Sequence, residues 1–376
     1  MSNQPILLST PTMHGEEMQF VQEAFARNWI APLGFNCDGL EAELADYMTD
    51  GAGDLSVLVL CSGTAALHLA VKAAGIGAGD VVLCSDMTFA ATVNPVCYEG
   101  ATPVFVDSEC ETWNMDPVAL ERAFAKYPTA KAVILVHLYG TPAKVEQIRD
   151  ICHRHGATLI EDAAEALSAT YKGQKCGTFG AFATLSFNGN KIITTSGGGA
   201  LLARDPEKRQ RALYWATQAR EKQPWYQHEE IGYNYRMSNV CAGIGRGQLL
   251  HLEEHRARKQ EIFERYCAGL SDLPLQLNPH LPESCPNFWL SCMLIDHGVA
   301  VSPMTVMARL REAQIESRPM WKPMHMQPVF AGRDFVTAGG TPVDEVLFTR
   351  GLCLPSDIKM TKEEQDRVVA VIRSCF

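Results

Sequence analysis

Between residues 56 and 204 the chain alternates short apolar runs with stretches of helical periodicity. The runs lie at 57–60, 81–83, 103–106, 132–136, 158–160, 183–187 and 199–203. They are apolar at consecutive positions rather than at every second one, the pattern of strands covered on both faces, and the helical stretches between them supply the cover. This predicts an α/β fold with a mostly parallel sheet, whose ligands sit at the carboxyl ends of the strands. From Ser238 to Leu270, Leu249, Leu250, Leu252 and Ile262 recur at helical spacing behind Ser238 or Asn239 as a cap, which predicts one long helix or two abutting ones. Further on, the pattern predicts a strand over 287–295, a helix over 303–314 with Pro303 in its first turn, and a closing helix over 362–374. The chain therefore reads as a large α/β domain over residues 1–250 and a smaller α+β domain over 251–376.

Composition narrows this. With 376 residues, 47% hydrophobic and 20% charged, the chain has too much apolar material and too few charges to be disordered. Acidic residues outnumber Lys plus Arg by 43 to 33, and a net charge of −10 opposes binding to a phosphate backbone. The 13 cysteines are odd in number and many sit inside apolar runs, as Cys61 and Cys84 do, so they read as reduced packing residues. The opening residues lack a basic region followed by an apolar stretch, and no apolar run approaches the roughly 18 residues of a membrane span. A cytoplasmic enzyme without membrane or nucleic-acid partners is the expectation.

Several motifs point elsewhere and lack their context. His251, Glu254 and His255 match the H-x-x-E-H pattern of some zinc peptidases, but Arg256, Arg258 and Lys259 continue the stretch as a solvated helix face, and no metal site is expected. Gly75, Gly77 and Gly79, and again Gly243, Gly245 and Gly247, have dinucleotide-like spacing. The first set follows a helix and the second lies inside one, so neither makes the strand-to-helix turn that a nicotinamide cofactor needs. A phosphate-binding G-x-x-x-x-G-K-[ST] loop is absent.

Three segments carry chemistry together. Ser62, Gly63, Thr64 and Ala65 follow the run at 57–60 and open a helix, where hydroxyls and unpaired backbone N–H groups make a phosphate cradle, although an ordinary helix cap has the same residues. Asp162 ends the apolar run at 158–160, at the ligand edge of the sheet, where a carboxylate can keep a pyridine nitrogen protonated. Lys191 stands after the run at 183–187 among small polar residues and glycines, suited to an amine that reaches a carbonyl and forms a Schiff base. In this order along an α/β domain, cradle, carboxylate and lysine are the parts of a pyridoxal phosphate site.

At these residues the chain resembles the DegT/DnrJ/EryC1/StrS sugar-nucleotide aminotransferases, which have the aspartate aminotransferase fold (pyridoxal phosphate fold type I). The resemblance is carried by NWIAPLG (28–34), SGTAALH (62–68), TFAAT (88–92), PVFVD (103–107), HLYG (137–140), EDAAE (161–165), SFNGNKIITTSGGG (186–199), GYNYRMSN (232–239) and PMH (323–325). FNGNKIITT, with TQARE (217–221) and WKPMH (321–325), is most similar to the branch that aminates UDP-4-keto-6-deoxy-N-acetylhexosamines, as in bacillosamine synthesis. The resemblance implies pyridoxal phosphate as cofactor, L-glutamate and a nucleotide sugar as substrates, and a homodimer with shared sites. It implies Lys191 as the Schiff-base lysine and proton carrier, and Asp162 as partner of the pyridinium. Gly63, Thr64, Ala65 and Ser186 would hold the phosphate, Phe89 would stack on the ring, and Asn234 would reach the phosphate of the neighbouring subunit. Glu165 would lie near the phenolic oxygen, where many relatives carry His or Gln; a carboxylate there repels a phenolate unless one of the two is protonated. Trp29, Ile30, Ala31, Pro32, Leu33, His137, Asn188 and His325 would line the sugar-nucleotide pocket, and Arg220, Arg236, Arg318 and Lys322 are candidates for the basic patch that a diphosphate requires. Alternatives within the family are GDP-perosamine synthesis, the legionaminic acid route and dTDP-keto sugars. A dehydrating relative would carry histidine in place of Lys191, and a non-catalytic one would have lost Lys191 or Asp162.

Overall fold

The computed structural model describes residues 4–51, 53 and 55–376. The first part of the chain forms α1 (Glu16–Ala26), α2 (Phe35–Thr49), β1 (Ser56–Leu60), α3 (Gly63–Ala73), β2 (Val81–Ser85), α4 (Asn94–Tyr98), β3 (Thr102–Val106), α5 (Pro117–Lys126), β4 (Ala132–Val136), α6 (Val145–His155) and β5 (Thr158–Asp162). Then follow β6 (Thr170–Tyr171), β7 (Gln174–Lys175), β8 (Phe182–Ser186), β9 (Gly199–Ala203), α7 (Pro206–Ala216), α8 (Asn239–Leu249) and α9 (Leu252–Leu270). The remainder is β10 (Leu275–Leu277), β11 (Ser284–Cys285), β12 (Ser291–Ile295), α10 (Pro303–Glu312), β13 (Arg318–Pro319), β14 (Phe335–Val336), α11 (Val343–Arg350), β15 (Gly351–Leu354) and α12 (Lys362–Arg373).

Eight strands form the large sheet in the order β1-β9-β8-β5-β4-β2-β3-β14. It is parallel from β8 to β14, and β9 alone runs against its neighbours. Both faces are covered, as the unbroken apolar runs require. In β1, Leu58 and Leu60 enter one core cluster and Val57 and Val59 another; in β4, Ala132 and Ile134 face one way and Val133 and Leu135 the other. An antiparallel sheet, β10-β12-β15-β13, packs with α9, α10 and α12 around Tyr266, Leu310, Leu352 and Ile372.

The chain crosses the expected boundary near residue 250 in both directions. Phe335 and Val336 add a parallel strand beside β3 in the large sheet, while Ile6 packs in the core of the small one. The stretch from Ser238 to Leu270 is two abutting helices, and the Ser238 hydroxyl caps the first by accepting from Cys241 N. The strand expected over 287–295 begins only at Ser291. Phe288 has φ +52°, outside the extended region, and the Asn287 side chain is turned inward to donate to the carbonyls of Glu165 and Leu167. Six of the 13 cysteines are buried, and Cys61, Cys97, Cys110 and Cys267 are exposed, so packing accounts for only part of them.

One buried cation ties α9 to the start of β12 and the end of β15 in the small sheet. Lys259 on α9 donates to the carbonyls of Trp289 and Ser356, at 3.0 and 2.8 Å, and burial holds its amine down at about 8. Below that pH both folded and unfolded chains carry the proton, so the full cost of charging a buried amine is present. Between about 8 and the ordinary lysine value the unfolded chain binds more protons, and stability rises with pH. The gap of about 2 to 3 units corresponds to about 3 kcal/mol. The stability difference between Lys259→Met and wild type should therefore change by that order between pH 7 and 10, measured by urea unfolding; a pH-independent difference refutes the buried charge.

Candidate active site

The functional side chains gather where β1, β5 and β8 end. Ser62 is the N-cap of α3, and its hydroxyl accepts from Ala65 N at 3.0 Å. The N–H groups of Gly63 and Thr64, in the first turn of α3, have no intrahelical partner and point out of the helix start. β9 begins directly beside them: a Cβ on Gly199 would lie 2.4 Å from the Gly63 nitrogen, so only glycine lets the two segments approach. Ser186, the last residue of β8 and the ladder partner of Gly199, also lies beside Gly63.

Asp162 is the last residue of β5 and is buried. Thr92 donates to it through its hydroxyl at 2.7 Å, and Ala164 N–H at 3.1 Å, so the carboxylate is oriented from two sides. Thr88 in turn contacts the Thr92 hydroxyl at 2.5 Å. In the same cavity the Lys191 Nζ stands 3.5 Å from the Glu165 carboxylate and 3.9 Å from the centre of the Trp289 ring. Glu165 also accepts from Tyr139 N at 2.7 Å. Burial pushes its carboxyl above the ordinary value, against the pull of the Lys191 ammonium.

These residues line one cavity of about 510 Å³, with Ser62, Gly63, Thr64, Phe89, Asp162, Glu165, Ser186, Asn188, Lys191, Trp289 and Trp321 in its wall. Phe89 is half-exposed there, its ring 5.3 Å from that of Trp321. The donor set fits pyridoxal phosphate: hydroxyls and orphan N–H groups for the phosphate, a buried carboxylate for the ring nitrogen, and a single amine for the carbonyl.

Other expected residues lie elsewhere. His137 is a correction: it is fully buried behind β4, donating to Glu161 at 3.0 Å and accepting from Ala143 N at 3.1 Å, and it does not reach the cavity. Arg236 is tied through Nη1 to Glu41 at 2.8 Å and to the Val59 carbonyl, and it is not in the wall of this cavity. Arg318 is exposed on β13 and paired with Glu316, and Arg220 is exposed with its guanidinium over Tyr226. Lys322 is half-buried beside Trp321, and Asn234 is exposed. Trp29, Ile30, Ala31, Pro32 and Leu33 form an exposed loop pinned by Asn239, which donates to Trp29 O through its side chain and to Ala31 O through its backbone. His325 follows Trp321 closely, and Asp86 binds both its backbone and its ring. Burial works against its charge, but Asp86 and Glu345 outweigh it and hold the imidazole above its ordinary value.

Trp289, Trp321 and Thr92 were not among the expected site residues. Trp321 and Thr92 stood inside quoted motifs, but Trp289 sat in a stretch that read as a strand and carried no signal.

Comparison with known proteins agrees with this geometry. Residues 11–373 match the DegT/DnrJ/EryC1/StrS aminotransferase family. The chain is 46% identical to EpsN of Bacillus subtilis, by name a pyridoxal phosphate-dependent aminotransferase, over 99% of this chain and 96% of that one. It is 36% identical to the GDP-perosamine synthase of Caulobacter vibrioides over 99% of both chains. Among solved structures, the aminotransferase TlmJ from Streptoalloteichus hindustanus superposes with a TM-score of 0.89 at 29% identity, covering 99% of this chain and 98% of that one. The chain belongs to the DegT/DnrJ/EryC1/StrS aminotransferase family.

Proposed function

We propose that this enzyme moves the amino group of L-glutamate to C4 of a nucleotide-linked 4-keto-6-deoxy sugar, and that UDP-2-acetamido-2,6-dideoxy-4-keto-hexose is that sugar. The protein is a pyridoxal phosphate-dependent aminotransferase acting on sugar nucleotides. The observation that carries the reading is the placing of Lys191 Nζ in one cavity with Asp162 and the start of α3. When bound, the cofactor supplies the carbonyl that receives the amino group and a ring that draws electrons from the reacting carbon. Gly63, Thr64 and Ser186 hold its phosphate, and Asp162, fixed by Thr92, keeps its ring nitrogen protonated. Lys191 takes the proton from the α-carbon of glutamate and, in the second half of the cycle, delivers one to C4 of the sugar. Glu165 and the Trp289 face, both within reach of Nζ, stabilise the amine while it carries that proton. His325 and the pinned loop at 29–33 are assigned to the sugar side by the resemblance, since neither is in the wall of this cavity.

A homodimer belongs to this reading. Asn234 is exposed and is not in the wall of its own cavity, and Trp225, Tyr226 and Ile231, close to it in sequence, are 62, 75 and 81% exposed, an apolar face that a second copy covers. Among the described residues no helix is long and apolar enough to cross a membrane.

The UDP assignment rests on FNGNKIITT and WKPMH. The reading that competes is a GDP-linked substrate, because GDP-perosamine synthases are among the relatives at 36% identity. Assay of UDP-, GDP- and dTDP-4-keto-6-deoxy sugars with glutamate should show kcat/KM at least about 10²-fold higher for the UDP sugar, since base-edge hydrogen bonds discriminate strongly. Equal turnover of GDP- and UDP-sugars rejects the assignment, and no amino transfer from glutamate to any of them rejects the wider one.

A further inference from the structure

The H-x-x-E-H motif and the Gly243-Gly245-Gly247 triplet, neither of which the active site uses, meet in one place. A Cβ at Gly247 would come within 2.5 Å of the Glu17 backbone nitrogen, so glycine there lets the start of α1 lie directly on α8. Glu17 is buried and accepts from the backbone N–H groups of His14 and Gly15, at 3.1 and 2.8 Å, and from the Gln248 side chain. The backbone of residue 14 is thereby anchored beside the start of α9. The His14 ring stacks on that of His251, centroids 3.7 Å apart, and its Nε2 is 2.7 Å from Nε2 of His255.

Hydrogen bonding assigns the ring nitrogens. The Ile192 carbonyl can only accept, so His255 donates to it through Nδ1, 2.7 Å away. Nε2 of neutral His255 then accepts from His14 Nε2–H, which leaves the lone pair of His14 Nδ1 free. His251 has Nδ1 3.2 Å from Glu254 Oε2 and Nε2 3.2 Å from Glu16 Oε2.

We propose that His14, His251 and Glu254 form a binding site for a divalent transition-metal ion of the zinc type. Their ligand atoms all lie within 4.8 Å of one another, the one such group of His, Cys, Asp and Glu among the described residues. In a tetrahedral zinc site, with bonds of about 2.0–2.2 Å, neighbouring donors are about 3.4 Å apart. The His251 Nδ1 and Glu254 Oε2 pair is already at that spacing, and tilting the His14 ring out of its stack brings in the third donor. The outer partners are in place as well. Histidine ligands donate their second N–H to a fixed acceptor, and here His14 has His255 and His251 has Glu16. Two histidines and one carboxylate suit zinc, cobalt or nickel, with water completing the shell. The ion ties the segment before α1 to the junction of α8 and α9, and through His255 to Ile192, the neighbour of Lys191. It takes no part in the proton transfers above and does not depend on the proposed sugar.

The test uses the full-length, cofactor-loaded enzyme, stripped of metal with a chelator and titrated with Co²⁺. A saturable ligand-field band of tetrahedral cobalt, one ion per chain by metal analysis, and displacement by Zn²⁺ are expected, without the near-ultraviolet charge-transfer band that the exposed cysteines would give. His14→Ala and His251→Ala should each abolish the band. Glu254→Gln, at an exposed side chain that cannot disturb the core, should weaken binding about tenfold or more. The visible band of the cofactor and the melting curve report on folding throughout. Absence of a saturable cobalt band, thiolate character in it, or its survival in His14→Ala or at full strength in Glu254→Gln overturns the site.

Discussion

Lys191→Ala is expected to lower transamination by about 10⁴-fold or more and to abolish the visible absorption band of lysine-bound pyridoxal phosphate. Removing the amine takes away both the nucleophile that reaches the cofactor carbonyl and the group that carries the proton, and proton transfer by a placed side chain alone accounts for about 10²- to 10⁴-fold. Lys191 is the one lysine in the cavity wall, so no second amine stands ready to replace it. Lys191→Arg keeps the positive charge beside Glu165 yet should be equally inactive, because a guanidinium does not lose its proton at working pH. The phosphate cradle at α3 and the carboxylate of Asp162 are untouched in both variants, so the cofactor should still bind reversibly. Steady-state assays and absorption spectra of the loaded proteins check this. A Lys191→Ala protein that keeps the band and the wild-type rate sinks the assignment.

The second large effect belongs to Asp162. Asp162→Asn preserves the shape of the side chain, with Oδ1 accepting from Ala164 N–H and the amide donating to the Thr92 hydroxyl, but removes the charge that holds the ring nitrogen protonated. Loss of a preorganised electrostatic contact of this kind costs about 10²- to 10³-fold in kcat. The pH dependence of the loaded enzyme's spectrum should shift too, because the ring nitrogen then loses its proton at lower pH. The melting temperature should move little, since volume is conserved and the Thr92 hydroxyl can turn its proton to Thr88 and accept from the amide. A wild-type rate in Asp162→Asn means that the nitrogen is held some other way.

Strand positions were legible because the large sheet is buried on both sides. The runs at 132–136 and 199–203 coincide with β4 and β9 residue for residue, whereas the run at 158–160 stops short of the end of β5. It stops because Glu161 and Asp162 are polar, and they are polar because the strand ends in a site. The segment at 287–290 was misread for the opposite reason: its composition suits a strand, but Asn287 is needed inward, under Glu165, and Phe288 turns the chain with a positive φ. His137 and Arg236 show the limit for side chains. Each lies in a motif that the resemblance quotes, and each is held by a carboxylate outside the cavity, His137 by buried Glu161 and Arg236 by half-buried Glu41.

By itself the sequence determined what is local. The apolar runs dictate a doubly covered sheet, Ser62 dictates where α3 begins, and the order of cradle, carboxylate and lysine dictates the chemistry, since these depend on backbone preference and residue type over a few positions. Tertiary structure alone decided which distant groups share a cavity or a charge. It set Trp289 against Lys191, gave Lys259 two carbonyls and no counter-charge within contact, and placed His14 against His255 across 241 residues of chain. The physical reason is that such pairings are by-products of packing. They follow from close approaches such as that of α1 onto Gly247, which no periodicity along the chain records.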